Sequence, residues 1–247
     1  MTTILPDVSL VLACYNEEPI LERSVGEIFR VLDALRYTSE VIFVDDVSCD
    51  RTSGIIDDIM IANPERELRK IKHSKNAGRG GTVSDGIRTA RGRFVGFIDI
   101  DLEVHARYML PCLLALEQGY DVATAFRVYK FHLGSLHRYV LSHGYRSLLR
   151  WKIDVPLKDT ETGYKFFRLE RILPVLDQVQ DQGWFWDTEI MVRAHLAGLR
   201  IIEIPALHER STDRPSSVKV FHDSLMYFKK LHQFSRSISQ LKDRSRQ

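Results

Sequence analysis

The sequence has few cysteines, no long apolar run and almost no net charge. Its three cysteines, Cys14, Cys49 and Cys112, are far apart and form no C-x-x-C pair, which argues against a disulfide framework or a zinc knuckle. No apolar window approaches the about 20 residues that a membrane-spanning helix requires. A formal net charge of +2 is too small for wholesale nucleic-acid binding. These absences predict a cytoplasmic protein, soluble or peripheral on a membrane, with no nucleic-acid partner.

Two nucleotide-binding signatures are also missing. An acidic loop follows the first predicted strand where a dinucleotide-binding fold has G-x-G-x-x-G, and an acidic loop repels a pyrophosphate. The glycine-rich segment 76–81 lacks the Lys-Ser/Thr pair of a P-loop. A Rossmann dehydrogenase and a Walker NTPase are therefore disfavoured. Residues 1–7 have neither a basic region nor an apolar core, so no secretory signal is expected.

Predicted strands and helices alternate regularly through the first part of the chain. This alternation indicates βαβ units and a mostly parallel sheet flanked by helices. The predicted strands are 8–13, 40–46, 68–74, 94–98, 121–125, 166–167 and 199–204. The predicted helices are 20–35, 52–61, 82–90, 134–151 and 184–197. At 247 residues and 44% apolar content, the chain suits one large α/β domain or one domain with a small annex.

The fourth predicted strand ends in a run of carboxylates. Asp99 and Asp101 follow the apolar stretch at i, i+2 spacing, and Glu103 comes two residues later. Unpaired carboxylates are costly in an apolar interior, but at the end of a strand they can face a cleft and hold a hard divalent cation. The pattern predicts a metal and phosphate centre.

Two other predicted strands end in polar residues as well. The first is followed by Asn16 and Glu17, and the second by Asp45 and Asp46. In parallel sheets ligands bind at the carboxyl ends of the strands. We therefore expect these loops to meet the fourth strand's carboxylates along one edge, where they form a site.

Five segments, in order, resemble motifs of family 2 glycosyltransferases. Residues 44–52 are similar to V-D-D-x-S-x-D-x-T, and residues 76–86 to N-x-G-K-G-G-A…D-G-I with Arg79 where Lys is commoner. Residues 99–101 form a D-x-D. Residues 159–165 and 187–190 resemble segments of dolichyl- and polyprenyl-phosphate hexose synthases. The resemblance covers nearly the whole chain, from about residue 8 to residue 220.

The resemblance implies a GT-A fold, a Rossmann-like, mostly parallel sheet with a smaller acceptor-side C-terminal part. It implies a single domain over 1–220, with a nucleotide-sugar half at 1–103 and an acceptor half at 104–220. A basic amphipathic tail at 221–247 follows. The implied activity is inverting, metal-dependent transfer of mannose or glucose from a GDP- or UDP-hexose to a polyprenyl or dolichyl phosphate at a membrane surface, with Mg²⁺ or Mn²⁺ as cofactor.

The resemblance also implies roles for individual residues. The implied metal ligands are Asp99, Asp101 and Glu103. The implied nucleotide-sugar contacts are Ala13, Tyr15, Glu17, Val44, Asp45, Asp46, Arg79, Gly80, Asp99 and Ile100. The implied acceptor-phosphate contacts are Arg127, Arg138 and Ser142. The residues expected to act in catalysis are Asp101, Arg127, Arg138 and Asp159, and further candidates are Lys165, Asp187, Glu189 and His208.

The class of acceptor decides which side chains take part in the chemistry. A lipid phosphate is already anionic at neutral pH, so it needs cations, best arginines, and no general base. A sugar hydroxyl needs a carboxylate base, for which Asp159, Asp187 and Glu189 are the candidates. A third hypothesis, a catalytically idle nucleotide-sugar-binding protein, conflicts with the intact D-x-D.

Several candidates have a purely structural alternative. Asp187 and Glu189 can cap the N-terminus of their helix, where negative charge is favourable. Of the second strand's carboxylates, we expect Asp46 to bind the nucleobase and Asp45 to be structural. The two tryptophans at 184 and 186 form either an acceptor wall or core. The tail 221–247 lies either on an anionic membrane surface or against the domain.

Overall fold

The computed structural model of the protein describes residues 5–129, 155–209 and 230–238. The strands are β1 (Val8–Cys14), β2 (Ser39–Asp45), β3 (Glu67–Lys72), β4 (Phe94–Ile98), β5 (Val122–Tyr129), β6 (Tyr164–Arg168) and β7 (Ile201–His208). The helices are α1 (Leu21–Ala34), α2 (Thr52–Ala62), α3 (Gly78–Thr89), α4 (Met109–Glu117), α5 (Leu169–Leu176), α6 (Trp186–Leu196) and α7 (230–238). A 3₁₀ turn, Ala106–Tyr108, precedes α4.

The seven strands form one mixed sheet in the order β3-β2-β1-β4-β6-β5-β7. β1 is parallel to both β2 and β4, β2 to β3, and β5 to β7. β6 runs antiparallel to its neighbours β4 and β5. This arrangement confirms the α/β class and the mostly parallel sheet expected from the alternation of elements.

The central strands are buried because they are apolar on both faces. Every residue of β4 and all but one of β1 and β2 is buried, as expected of a parallel sheet covered by helices. α1 packs a stripe of Leu21, Val25, Ile28 and Leu32 into this core, the spacing that was predicted to make it amphipathic. The core thus fixes the strands whose carboxyl ends carry the candidate site.

Two local predictions were wrong, and two helices were missed. Segment 76–81 is not a loop before a helix at 82, because α3 begins at Gly78. α4 and α5 were not predicted. β7 does not end at Pro205 but continues to His208. Proline is tolerated there because, among the described strands, β7 lies at the edge of the sheet beside β5.

At the amino ends of the strands a buried carboxylate joins three segments. Glu40 of β2 accepts hydrogen bonds from Ser9 Oγ at 2.5 Å, from Arg91 Nη2 at 2.8 Å and from Arg69 Nη1 at 3.1 Å. Burial raises the pKa of Glu40, but these hydrogen bonds outweigh it and hold the pKa below its ordinary value. This cluster lies at the opposite end of the sheet from the candidate site.

The described residues belong to two compact units. The first contains 5–129 and 159–209, and the second contains 155–158 and 230–238. In the second, α7 buries Leu231, Phe234 and Ile238. The expected contacts Arg138 and Ser142, the predicted helix 134–151 and most of the tail 221–247 lie outside the described residues. No helix in the described part of the chain is long and apolar enough to span a membrane.

Candidate active site

Three loops at the carboxyl edge of the sheet each contain a left-handed residue other than glycine. They are Asn16 (φ 55°) after β1, Val47 (φ 63°) after β2 and Leu102 (φ 52°) after β4. Such a conformation is unfavourable for most side chains and especially for a β-branched one. Strained backbone persists only where its surroundings impose it, and it is concentrated at functional sites. In each of the three loops expected to form the site, the surrounding structure therefore fixes the backbone conformation.

Side chains connect the loops after β1 and β2. The Asn16 N–H donates to Ser48 Oγ at 3.1 Å, and the Cys49 N–H donates to Asn16 Oδ1 at 2.8 Å. The Glu17 N–H donates to Thr52 Oγ1 at 2.7 Å. Tyr15, in the first of these loops, is 49% exposed. The two loops thus form one rigid rim beside an exposed aromatic ring.

Asp46 connects the end of β2 to the N-terminus of α3. Its Oδ1 accepts the Ala77 N–H at 2.7 Å and lies 2.8 Å from His73 Nδ1, and its Oδ2 accepts the Gly78 N–H at 3.0 Å. Asp46 therefore caps α3, which explains why that helix starts four residues earlier than predicted. His73, whose Nε2 is 3.3 Å from Asp85 Oδ2, had not been identified from the sequence.

The remaining donor-side candidates contribute mainly through the backbone or through packing. Asp45 is fully buried and accepts the Ser48 N–H at 3.0 Å, and its Oδ2 has no partner in the described part of the chain. Val44 and Ile100 are buried, and Ala13 on β1 is half-buried. A Cβ on Gly80 would lie 2.4 Å from Trp186 Cβ, so glycine at this position allows α3 to approach α6.

Four charged side chains form a continuous chain at the end of β4. Arg79 donates to Asp99 Oδ1 from Nε at 3.0 Å and from Nη2 at 2.6 Å. Its Nη1 donates to Asp187 Oδ2 at 2.5 Å. The other oxygen of Asp187 accepts from Lys165 Nζ at 2.7 Å. In space, the contacts run from Asp99 to Arg79, then to Asp187 and then to Lys165, so carboxylates and cations alternate. We call these four residues the charge chain.

Burial shifts the pKa values within the charge chain. Partial burial raises the pKa of Asp99, whose side chain is 41% exposed; Asp101 and Asp187 raise it further and Arg79 opposes the shift. Burial lowers the pKa of Lys165, and Asp187 opposes that shift. Asp187 and Glu189 were considered as helix caps. Both lie in the first turn of α6, as that alternative requires, and both also have specific partners. Asp187 pairs with Lys165 and Arg79, and Glu189 accepts from Arg193 Nε at 2.7 Å and from the Asp181 N–H at 2.8 Å.

Asp99 and Asp101 offer the hard oxygen ligands that Mg²⁺ and Mn²⁺ prefer. Asp101 Oδ1 accepts the Glu103 N–H at 3.1 Å. No group of three or more His, Cys, Asp or Glu side chains in the described ranges is arranged to hold a metal ion. Mg²⁺ is commonly bound by one or two carboxylates together with substrate phosphates. The pair therefore fits a cation that binds together with a diphosphate.

Glu103 and His208 come together beside this pair. His208 Nε2 lies 3.6 Å from Glu103 Oε2, and the Glu209 N–H donates to the Glu103 carbonyl at 2.9 Å. The ring of Tyr129 packs edge-on against His208, with ring centroids 4.8 Å apart. The end of β7 is thus joined to the segment after the D-x-D.

Arg127 and Asp159 form a buried bidentate pair. Arg127 Nε and Nη2 donate to the two Asp159 oxygens at 2.7 and 2.9 Å, and Asp159 is 1% exposed. The Asp159 N–H in turn donates to Glu203 Oε1 at 2.8 Å. The sequence indicated separate roles for these two side chains and did not predict that they pair. In the structure Asp159 neutralises much of the charge of Arg127.

The two tryptophans have different environments. Trp186 is fully buried, donates to Ser84 Oγ at 2.8 Å and packs edge-on against Phe97. Trp184 is 59% exposed, and the Arg79 guanidinium lies 5.2 Å from its ring centroid. Trp186 is therefore core, whereas Trp184 is exposed beside the charge chain.

Comparison with known proteins identifies the family. Residues 9–177 match the family model described as Glycosyl transferase family 2. The chain is 32% identical over 212 residues to glycosyltransferase AglD of Haloferax volcanii, covering 84% of this chain and 34% of that protein. It is 26% identical over 216 residues to the human dolichyl-phosphate beta-glucosyltransferase, covering 80% of this chain and 65% of that one. The chain thus spans about a third to two thirds of these relatives.

Solved structures with the same fold agree. Glucosyl-3-phosphoglycerate synthase from Mycobacterium tuberculosis, in complex with UDP, superimposes with a TM-score of 0.65 at 21% identity, covering 93% of this chain and 80% of that one. Mannosyltransferase PcManGT from Pyrobaculum calidifontis, in complex with GDP-Man and Mn²⁺, gives 0.62 at 18% identity, covering 96% and 65%. These likenesses confirm the GT-A fold that the sequence motifs implied.

Proposed function

Because the chain belongs to glycosyl transferase family 2, we propose that it transfers a hexose from a nucleotide sugar to the phosphate of a polyprenyl or dolichyl lipid. Relatives named as dolichyl-phosphate beta-glucosyltransferases favour glucose as the hexose. Both a UDP-hexose and a GDP-hexose are candidate donors, because fold neighbours are bound to UDP and to GDP-Man.

One observation carries the proposed class of acceptor. The three carboxylates considered as a base for a hydroxyl acceptor, Asp159, Asp187 and Glu189, are at most 3% exposed. Each is bonded to a cation: Arg127, Lys165 with Arg79, and Arg193 respectively. A general base must reach the proton that it removes and be free to accept it. An anionic acceptor needs no such base, so this geometry favours a lipid phosphate.

The nucleotide is proposed to bind at the rim formed by the loops after β1 and β2. Tyr15 offers an exposed ring beside the base, with Ala13 and Glu17 around it. An ionised carboxylate has about four acceptor positions, and three at Asp46 are already in use. The remaining one is assigned to the base N–H.

The diphosphate is proposed to bind at the end of β4. Asp99 and Asp101 are the residues that would hold Mg²⁺ or Mn²⁺, with Glu103 next to them. A bound divalent cation neutralises charge on the departing nucleoside diphosphate. Arg79 and Gly80, at the N-terminus of α3, lie where a helix end favours a phosphate. The acceptor then attacks the anomeric carbon from the opposite face, with inversion.

The acceptor phosphate is proposed to bind on the side of Arg127. Asp159 occupies the Nε and Nη2 edge of that arginine. Arg138 and Ser142, the other two acceptor-phosphate contacts that the resemblance implies, lie outside the described residues. Such an acceptor places the reaction at a membrane surface, with the protein binding peripherally from the cytoplasmic side.

Two acceptors that differ only in the phosphate test this proposal. The protein is incubated with UDP-glucose or GDP-mannose and Mn²⁺, in detergent, with either dolichyl phosphate or dolichol, and nucleoside diphosphate release is measured. We expect dolichyl phosphate to accelerate release with one donor and dolichol to have no effect. Equal acceleration by dolichol would refute an anionic acceptor, and no acceleration by dolichyl phosphate with either donor would refute the lipid.

A further inference from the structure

Arg79 bridges two carboxylates that differ in exposure. The side chain of Asp187 is 2% exposed and that of Asp99 is 41% exposed, while Arg79 itself is 11% exposed. The guanidinium lies 5.5 Å from the Phe97 ring centroid and 5.2 Å from that of Trp184. One end of the bridge is therefore in the protein interior, and the other is accessible to solvent.

The two ends use different parts of the guanidinium. Nη1 alone contacts Asp187, which Lys165 also holds, whereas Nε and Nη2 both contact Asp99. The Nε and Nη2 edge is a planar fork that matches phosphate as well as carboxylate. Arg79 is thus anchored by Nη1 on the buried carboxylate, and its fork is held by the exposed one.

The pairing limits access to Asp99. A cation that binds Asp99 alone must displace, or approach closely, the positive guanidinium at Oδ1. The described residues contain no ready-made group of three ligands that would compensate this repulsion. A diphosphate removes the conflict, because it gives the fork a new acceptor and supplies further oxygen ligands to the cation.

We propose that Arg79 is a positioning residue that exchanges partners when the donor binds. In the free protein its fork holds Asp99. On donor binding the fork moves to the diphosphate and releases Asp99, while Nη1 stays on Asp187. Divalent cation and nucleotide therefore bind together, each weakly without the other. This inference rests on the proposed function and concerns the order of events at the same site.

Gly163 shows that the pairing is accommodated by the fold. A Cβ on this residue would lie 1.8 Å from Asp99 Oδ2 and 2.5 Å from Arg79 Nη2. The Gly163 carbonyl also accepts the Asp99 N–H at 3.0 Å. Any side chain at this position would push the two partners apart, so the backbone before β6 leaves space for the ion pair.

The affinity for Mn²⁺, measured by electron paramagnetic resonance with and without UDP or GDP, tests the exchange. We expect the wild-type protein to bind Mn²⁺ at least about tenfold more tightly with its nucleotide, a coupling of about 1.4 kcal/mol. Arg79→Met should bind Mn²⁺ more tightly than wild type without nucleotide. The nucleotide effect should be smaller than in wild type but not absent, because the diphosphate still supplies oxygen ligands to the cation and no longer has an ion pair to relieve. Arg88→Met is the matched control, since Arg88 lies on the same helix and forms only long surface contacts to Asp85 and Asp177.

The results of this experiment distinguish a failure of the Arg79 partner exchange from a failure of the proposed function. If Arg79→Met matches wild type and Arg88→Met in both affinities, the exchange is wrong. Arg79→Lys, which keeps the charge but lacks the fork, should shift both values in the same direction by less. It replaces Arg79→Met if that variant does not fold, and wild-type values for it would then overturn the exchange. If Asp101→Asn keeps nucleotide-dependent Mn²⁺ binding, or if neither nucleotide binds, the proposed function fails instead.

Discussion

At the scale of a single residue, Gly80 determines how closely α3 packs against α6 beside the site. A Cβ there would meet Trp186 Cβ at 2.4 Å and Cγ at 2.6 Å. The first of these atoms is fixed to the α6 backbone and cannot rotate away. The glycines of the segment read from the sequence as a loop lie in the first turn of α3, and the missing side chain of Gly80 lets that turn fit against α6.

We predict that Gly80→Ala lowers the free energy of unfolding by about 1–3 kcal/mol, the usual cost of overpacking. Gly54 is the matched control: it lies in α2, and a Cβ there meets nothing within 4 Å. Gly54→Ala should raise the free energy of unfolding by about 0.5–1 kcal/mol through helix propensity. Urea denaturation measures both, and a stabilised Gly80→Ala would contradict the packing argument.

The single charged residues of the site show what the sequence could indicate. Asp99, Asp101 and Arg79 were identifiable because their spacing and surrounding glycines repeat family motifs. The pairing of Arg127 with Asp159, and of Lys165 with Asp187, could not be read off because each joins positions 22 or more apart in the chain. His73 gave no signal, since a lone histidine after an edge strand fits no motif.

At the scale of elements, the ends of the strands were the predictable part. β1, β2 and β4 each carry apolar residues on both faces and then polar ones, so both the strands and their functional edge follow from the pattern. The start of α3 could not be predicted because Asp46 caps it from a distant strand. α4 was missed because its sequence is almost uniformly apolar and lacks the polar face that makes a helix recognisable.

At the amino ends of the strands, opposite the candidate site, Glu40 connects β1, β3 and the segment after α3 and so contributes to stability. We predict that Glu40→Gln lowers the free energy of unfolding at pH 7 by about 1–3 kcal/mol, because the amide leaves buried donors unsatisfied. Since the folded-state pKa of Glu40 is depressed, its contribution is present above the ordinary value of 4.5 and is lost as the pH falls through the folded-state pKa.

The difference between wild type and Glu40→Gln should therefore shrink on acidification from pH 7 to below pH 4.5. Glu65→Gln is the control. The side chain of Glu65 is 68% exposed, and its contact with Arg66 Nε is long, at 3.7 Å. This substitution should therefore leave the free energy of unfolding unchanged at both pH values. Urea titrations at several pH values test this. A difference that grows as the pH falls would contradict the depressed pKa.

At the scale of the whole molecule, the proposed reaction needs groups from separate parts of the chain. The loops after β1 and β2 offer the nucleotide rim, the end of β4 offers Asp99 and Asp101, and α3 and α6 hold them through the charge chain. The sheet order places β4 between β1 and β6, so it brings Asp99 and Asp101 between the proposed nucleotide rim and Lys165. Sequence order alone could not place β6 there, since it is the antiparallel strand.

The most direct measurement is transfer of radiolabelled glucose from UDP-glucose, or mannose from GDP-mannose, to dolichyl phosphate. Wild type is compared with Asp101→Asn, and with Asp57→Asn as a control on the exposed face of α2, where Asp57 pairs with Lys70. We predict Mn²⁺- or Mg²⁺-dependent transfer by wild type and Asp57→Asn, and a loss of at least about a hundredfold in Asp101→Asn. Undiminished transfer by Asp101→Asn, or by wild type with chelator present, would contradict the account.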